Sequence, residues 1–255
     1  MPTLEICHLY PDILNLYGDR GNIISLKMRS LWRGIDVNIH NVSPGDAFYP
    51  ELYDIVFMGG GQDYEQQIIH EDIVKVKGEA IKEAIENNTV FLCICGGFQV
   101  LGKYYKSSDG KETEFLGAID LWTIGEKKRL AGNIVVELNL EMHGKDTRVA
   151  GFENHAGRTY LGKDVKPLGK VLTGYGNNGI DGFEGAVYKN TYCTYLHGSL
   201  LPKNPDFADY LLEAALKKKY GGEFSKLFEI DDTLEKLAHD TVINRLLKGL
   251  KHKNK

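Results

Sequence analysis

The sequence predicts an α/β fold: an open, mostly parallel sheet flanked by helices, with added antiparallel strands and a C-terminal helical extension. Two observations predict it. In the first part of the chain, short apolar segments alternate with stretches of helical spacing, the pattern of a parallel sheet covered on both faces. After Phe115 that pattern gives way to strand-like segments separated by Gly and Asn turns, with little helix between them.

Taken in order, residues 4–9 read as a first strand, and Gly18-Asp19-Arg20-Gly21 breaks the chain. Residues 22–32 carry Ile23, Leu26, Met28 and Leu31 at helical spacing. Residues 36–40 form a second strand and residues 54–58 a third, which ends in Gly59-Gly60-Gly61. A helix is expected over 72–86, with Ile73, Val76, Ala80, Ile81 and Ile85 on one face and Asn87-Asn88 closing it. Residues 89–94 are a fourth apolar strand, and a further helix is expected over 97–105. Beyond Phe115, strands are expected at 134–138, 149–152, 169–173, 185–188 and 192–196. Amphipathic helices follow at 207–220 and 231–248. Two regions result: a main domain over residues 1–221 and a helical extension over 222–255.

Composition narrows the function classes. The 255 residues are 42% hydrophobic and 26% charged, ordinary for a globular protein able to bury a substantial core. A net charge of −4 does not suggest a nucleic-acid surface. The N-terminus lacks the cationic start and apolar run of a signal peptide, and no stretch approaches the roughly 20 apolar residues of a membrane helix. A cytoplasmic protein is expected. In that setting Cys7, Cys93, Cys95 and Cys193 are not expected to form disulfides. The spacing of Cys93 and Cys95 fits neither a redox CxxC nor a zinc knuckle. Cys7, Cys93 and Cys193 read as inert core thiols.

Cys95 stands apart. It follows an apolar strand and precedes Gly96, Gly97 and a predicted helix, the outline of a nucleophile elbow. A sharp strand-to-helix turn pushes the side chain out above the sheet edge, and glycines are needed where the backbone crowds. The helix N-terminus favours a thiolate, and the Gly96 N–H points to where an oxyanion would form. The base is expected to be His197, at the end of an apolar strand and followed by Gly198. His8 is its competitor. His155 reads as a substrate or interface residue, and His239 as solvated. Gly60 and Gly61 offer further backbone N–H groups for the oxyanion. A phosphate loop there is weakly supported, since no GxxxxGK[ST] or GxGxxG follows.

These residues resemble a known family. Cys95-Gly-Gly-Phe-Gln99 is similar to the C-x-G-x-Q elbow of class I, triad-type glutamine amidotransferases, and Tyr195-Leu-His197-Gly198 to the histidine segment of their cobyric-acid-synthase-like branch. More specific are Asn15-Leu-Tyr-Gly-Asp-Arg-Gly-Asn22, Gly151-Phe-Glu-Asn-His-Ala-Gly-Arg-Thr-Tyr160, Gly174-Tyr-Gly-Asn-Asn178 and Leu200-Leu-Pro-Lys-Asn204. These resemble the glutaminase subunits of bacterial lipid II isoglutaminyl synthases. The resemblance implies a flavodoxin-like sheet and glutamine hydrolysis through a thioester on Cys95, with His197 moving the proton. It implies an oxyanion held by Gly96 and the Gly60-Gly61 turn, and Arg129 gripping the glutamine carboxylate, although read without it Arg129 is a surface charge in a basic run. Gln99 supports the elbow. It also implies a heterodimer with a Mur-ligase-like synthetase subunit (MurT) that carries ATP and Mg and amidates the D-glutamate α-carboxylate of the lipid II stem. No cofactor is expected in this chain.

One departure matters. Triad enzymes usually carry Glu two residues after the histidine, and here that position is Ser199. A bare Cys95–His197 dyad is therefore expected, with the acid supplied by the partner and glutaminase activity weak in the isolated chain. The alternatives are a subunit serving another carboxylate such as a cobyrinate-like acceptor, a stand-alone cysteine hydrolase, and a silent scaffold subunit.

Overall fold

The computed structural model describes residues 2–224 and 227–253. In chain order, the first half holds β1 (Thr3–Leu9), a short 3-10 turn at Leu16–Gly18, α1 (Arg20–Leu31), β2 (Asp36–Val42), β3 (Ile55–Met58), α2 (Asp63–Glu71), a π-helical turn at Asp72–Val76, α3 (Gly78–Glu86), β4 (Val90–Ile94) and α4 (Gly96–Val100). The second half holds β5 (Tyr104–Lys106), β6 (Glu112–Glu114), β7 (Leu121–Leu138), β8 (Arg148–Leu161), β9 (Gly169–Thr173), β10 (Phe183–Glu184), β11 (Ala186–Tyr188), β12 (Thr191–Thr194), α5 (Leu200–Lys203), α6 (Pro205–Tyr220) and α7 (Thr233–Lys253).

The first sheet has the order β11-β12-β4-β3-β1-β2. Every neighbouring pair in it is parallel except β11 with β12. Helices cover both faces, so β3 and β4 are buried at every position and read as unbroken apolar runs. β2 at the edge alternates partly and is more exposed. Parallel strands all end on one edge of the sheet, and β3, β4 and β12 deliver Gly59–Gly61, Cys95 and Tyr195–His197 to it. This is where open α/β sheets assemble their sites.

The added strands build a second sheet of six strands, β10-β9-β7-β5-β6 with β8 paired to β7. The short strands expected at 134–138 and 149–152 are the inner ends of one long antiparallel hairpin, β7–β8. The two sheets meet where His197 pairs with Phe152 through two backbone hydrogen bonds, 2.7 Å from His197 N–H and 3.3 Å from Phe152 N–H.

Two helix expectations need correction. The stretch over 72–86 is not one helix: a π-turn interrupts it, and the buried Lys77 ammonium pairs there with Asp72, whose carboxylate also accepts the Tyr10 hydroxyl (2.7 Å) and the Gly45 N–H (2.9 Å). The helix expected over 97–105 lasts a single turn, because Tyr104–Lys106 pairs in register with Thr123 and Ile124 of β7 and with β6. α2 was not anticipated from periodicity. Its signal is a capping box, with the Glu65 carboxylate accepting the Gln62 N–H at 2.9 Å.

The C-terminal segment packs back on the molecule. Arg29 of α1 bridges Asp209 of α6 (2.6 and 2.8 Å) and Asp232 (2.8 and 2.6 Å), all three buried. Beyond that clamp α7 lies against β7, β8 and β9, where Ile243 is fully buried with Val135 and Ala150. His239, expected to be solvated, is buried, and its Nε2–H donates to the Arg148 carbonyl at 2.9 Å. Among the described residues no helix is long and apolar enough to cross a membrane.

Candidate active site

Cys95 sits between β4 and α4 with φ 48° and ψ −101°, a conformation that costs an L-residue of order 1–3 kcal/mol and persists only where packing enforces it. The packing is visible. A Cβ on Gly96 would lie 2.6 Å from the Gly61 carbonyl oxygen and 2.8 Å from the Gly61 nitrogen. The elbow and the Gly59–Gly61 turn are thus in direct backbone contact, and the Gly97 N–H donates to the Gly59 carbonyl at 3.2 Å. The Gly96 N–H is at the first helical position, where no intrahelical acceptor exists. The Gly61 nitrogen, 2.8 Å from where a Gly96 Cβ would lie, belongs to the lining of the same cleft as Cys95.

Gly60 departs from expectation. Its N–H donates to Asp19 Oδ2 at 2.6 Å, so it is not free for an oxyanion or a phosphate. A Cβ there would sit 2.5 Å from His197 Cε1. Gly60 is glycine to let the histidine ring lie against the turn.

His197 is fully buried and faces Cys95, close enough for the charges of the two groups to act on one another. Burial alone would depress its pKa, but the Cys95 and Asp19 charges overcome that and push it up to about 10. The expectation of a bare dyad does not hold: the Asp19 carboxylate, also fully buried, stands beside the ring with Oδ1 3.7 Å from Nδ1. Neither ring nitrogen, nor Asp19 Oδ1, makes a full hydrogen bond. Buried polar atoms left open in this way cost free energy, and catalytic contacts commonly tighten only when substrate binds. Ser199, at the usual place of the triad acid, does something else: its hydroxyl donates to the Gly18 carbonyl at 2.6 Å.

The cleft over Cys95 has a volume of about 420 Å³, suited to a small polar molecule, and is lined by Gly61, Gln66, Gln99, Tyr105, Arg129 and His155 among others. Arg129 is brought there by an irregularity in the β7–β8 hairpin. Pairing jumps from Gly125↔Gly157 to Leu130↔His155, so the extra β7 residues bulge out of the ladder, and Arg129 among them lines the cleft. Asn154 then fixes the guanidinium: Nε donates to its side-chain oxygen and an Nη to its carbonyl, both at 2.7 Å. The other guanidinium N–H groups remain for a ligand. Asn154 in turn donates to the Tyr17 hydroxyl at 2.5 Å. The Tyr17 ring, in left-handed backbone (φ 56°), lies edge-on to His197 at 5.0 Å and to Phe152 at 5.9 Å.

The floor is a buried chain of hydrogen bonds. Gln66 donates to Gln99 (2.6 Å), Gln99 to the Tyr195 hydroxyl (3.0 Å), and Tyr195 pairs with Thr159 (2.6 Å). His155 stacks flat on Tyr195 with centroids 3.7 Å apart and donates from Nδ1 to the Gly157 carbonyl at 2.7 Å. Burial and the nearby Asp63 push the Tyr105 phenol up to about 12, so it enters the cleft neutral. His8, the competing base, is buried against Phe57, and burial together with Arg20 drives its pKa down to about 4. Cys7, Cys93 and Cys193 are buried core thiols.

Of the residues singled out in the sequence, the structure lines one cleft with Cys95, Gly61 and Arg129 and places Gly96 and His197 against the Gly60-Gly61 turn beside it. Sequence reasoning missed Asp19, Tyr17 and Asn154. Their segments carry the family resemblance, and Gly18-Asp19-Arg20-Gly21 also reads as a chain break, but the sequence assigns no role at the site to these three side chains.

A strained cysteine above a parallel-sheet edge, facing a buried histidine with a carboxylate behind it, defines a cysteine enzyme of the amidotransferase type. Residues 5–205 match the model of the CobB/CobQ-like glutamine amidotransferase domain, and the chain belongs to that family. Over 247 residues it is 45% identical to the lipid II isoglutaminyl synthase (glutamine-hydrolyzing) subunit GatD of Staphylococcus aureus (strain N315), covering 96% of this chain and 97% of that protein. The subunit of the same name from Streptococcus pneumoniae (strain ATCC BAA-255 / R6) is 44% identical over 218 residues, 86% of this chain and 82% of that one. In fold, the chain is similar to a glutamine amidotransferase structure from Thermotoga maritima, with a TM-score of 0.53 at 16% identity, over 96% of this chain and 98% of the other.

Proposed function

We propose that this chain is the glutaminase subunit of a lipid II isoglutaminyl synthase, feeding ammonia to a Mur-ligase-like synthetase (MurT) that amidates the D-glutamate α-carboxylate of lipid II. ATP and Mg belong to that partner, and the complex works in the cytoplasm on peptidoglycan precursor. The observation that carries the chemistry is Cys95 held at φ 48° facing His197. Membership of the CobB/CobQ-like family and the 44–45% identity to two subunits so named support the acceptor and the partner.

The steps follow from the site. L-Glutamine enters the cleft with its carboxylate on the free N–H groups of Arg129, a planar fork suited to both oxygens. Cys95 Sγ, its proton held on His197, attacks the side-chain amide carbon. The tetrahedral oxyanion is held by the Gly61 and Gly96 N–H groups. Collapse breaks the C–N bond, His197 gives the proton to the departing ammonia, and a thioester remains on Cys95. Water then attacks the thioester with His197 as base, releasing glutamate and the free thiol.

The test is glutamate release and lipid II amidation by the chain combined with a Mur-ligase-like synthetase, ATP and lipid II. Cys95→Ala should abolish glutamate release and leave amidation dependent on added ammonia. Persistent glutaminase activity in Cys95→Ala would refute the chemistry, and amidation of a cobyrinate-like carboxylate but not lipid II would refute the acceptor.

A further inference from the structure

We infer that Asp19 is the acid of this active site, supplied by the chain itself: one carboxylate oxygen orients His197 while the other fixes the Gly60 turn that lies against the ring. The inference rests on the glutaminase reading of Cys95 and His197 and adds a positioning residue to it.

Four observations carry it. Asp19 is fully buried, and among the described residues its one ion-pair partner is His197, with Oδ1 3.7 Å from Nδ1. A carboxylate taken out of water without a cationic partner is strongly disfavoured, so its place beside the imidazole needs a reason. Second, Oδ1 has no other hydrogen-bond partner, while Oδ2 accepts the Gly60 N–H at 2.6 Å. The carboxylate is therefore pinned at one oxygen and open at the other, on the side of His197. Third, the segment carrying Asp19 is anchored where the usual triad acid is missing. Ser199 holds the Gly18 carbonyl at 2.6 Å, Asn22 accepts the Leu201 N–H at 2.8 Å, and the Leu16 N–H donates to the Gly60 carbonyl at 3.1 Å. The position two residues after the histidine has exchanged a carboxylate for a clamp on the strand break that brings another. Fourth, Tyr17 closes the same ring from its edge at 5.0 Å. The titratable groups around His197 are then Cys95, Asp19 and Tyr17.

Roles follow from donor and acceptor chemistry. Asp19 accepts from Nδ1–H and leaves Nε2 as the basic nitrogen for the thiol, the tautomer that proton transfer requires. It also stabilises the imidazolium that forms when Cys95 gives up its proton. The ring has only a short distance to close before the contact becomes a full hydrogen bond.

The experiment measures glutamate release by the isolated full-length chain for the wild type, Asp19→Asn, Asp19→Glu and Cys95→Ala, across pH. Asp19→Asn keeps an acceptor for the Gly60 N–H but presents an amide N–H to Nδ1, forcing the wrong tautomer. Its kcat should fall about 10²- to 10⁴-fold with KM changed less than about 3-fold. The alkaline limb of its kcat/KM profile should move to lower pH, because the protonated imidazole loses its anionic neighbour. Asp19→Glu should recover part of kcat. A purely structural role would not move the alkaline limb. Asp19→Asn with kcat within about 3-fold of wild type and an unmoved profile overturns the inference while leaving the glutaminase reading intact. Activity remaining in Cys95→Ala overturns that reading instead. A wild-type chain inert alone but active with a synthetase would place the necessary acid elsewhere. Should Asp19→Asn not fold, nitrogen NMR of His197 in Cys95→Ala, where no thiolate holds the ring charged, decides: neutral imidazole protonated on Nδ1 supports the inference, and protonation on Nε2 overturns it.

Discussion

At Gly60 the absence of one methyl group holds the active site together. The His197 ring occupies the space a Cβ would fill, at 2.5 Å from Cε1, and Asp19 Oδ2 lies 3.1 Å from the same point. Gly60→Ala must displace either the ring or the carboxylate, and both displacements misalign the proposed base. Misplacements of about 1 Å cost roughly 10²-fold in rate. We expect kcat for glutamine to fall about 10- to 100-fold with KM little changed, because Arg129 is untouched. Steady-state kinetics on the folded variant would check this, and an unchanged kcat would mean that the ring does not need its place against the turn. Single residues were legible in the sequence when their chemistry was local. Cys95, Gly96 and Gly97 announce the elbow because strain and crowding act within three positions. Asp19 was not legible, since its meaning depends on contacts with Gly60 and His197, both distant in the chain.

The β7–β8 hairpin shows what elements hid. Its inner ends were readable as two short strands, but the looped-out stretch between Gly125 and Leu130 comes from cross-strand register, which no local pattern records. By that register Arg129, in sequence one charge of the run Lys127-Lys128-Arg129, enters the cleft while remaining solvent-exposed. The two segments that looked most distinctive in the sequence meet here, where Tyr17 from one accepts a hydrogen bond from Asn154 of the other. Asn154 therefore stands between Arg129, the proposed grip for the glutamine carboxylate, and the histidine. Removing its side chain deletes the bond to Arg129 Nε and the bond to Tyr17, while the carbonyl bond to Arg129 survives. Asn154→Ala should raise KM for glutamine about 10-fold, the equivalent of about 1.4 kcal/mol of binding, with a smaller effect on kcat. An unaltered KM would show that Arg129 needs no second support.

At the scale of the molecule, the short parallel strands were legible because burial on both faces leaves an unbroken apolar run, and the amphipathic helices α1, α6 and α7 because burial on one face leaves a periodic trace. How the two sheets join was not, and the join is polar. β10 and β12 place Glu184, fully buried, where its carboxylate accepts the Tyr195 N–H (2.6 Å) and the Thr194 hydroxyl (3.0 Å), directly behind the strand end that carries His197. Burial, aided by the nearby charge of Glu153, pushes its pKa from 4.5 up to about 8 against the pull of those two donors. The folded state therefore binds this proton more tightly than the unfolded chain. The stabilisation is fully present below about pH 4.5 and is lost as pH rises toward 8, with a slope of at most about 1.4 kcal/mol per unit from this one group. His8 works in the opposite direction: its depressed pKa costs stability as pH falls from 6.5 toward 4. Above pH 6.5 His8 is silent. His197, pushed up to about 10, also loses stabilisation there as pH rises. Glu184 is therefore read from the difference between the wild type and a Glu184 variant, in which the His197 contribution is common. Glu184→Gln keeps an acceptor for the Tyr195 N–H and carries no charge to desolvate. Denaturant midpoints measured from pH 6.5 to 9 should fall for the wild type relative to this variant up to about pH 8 and run parallel above it. Parallel curves across the whole range would mean that Glu184 is already ionised in the fold, its charge held by Thr194 and Tyr195 alone.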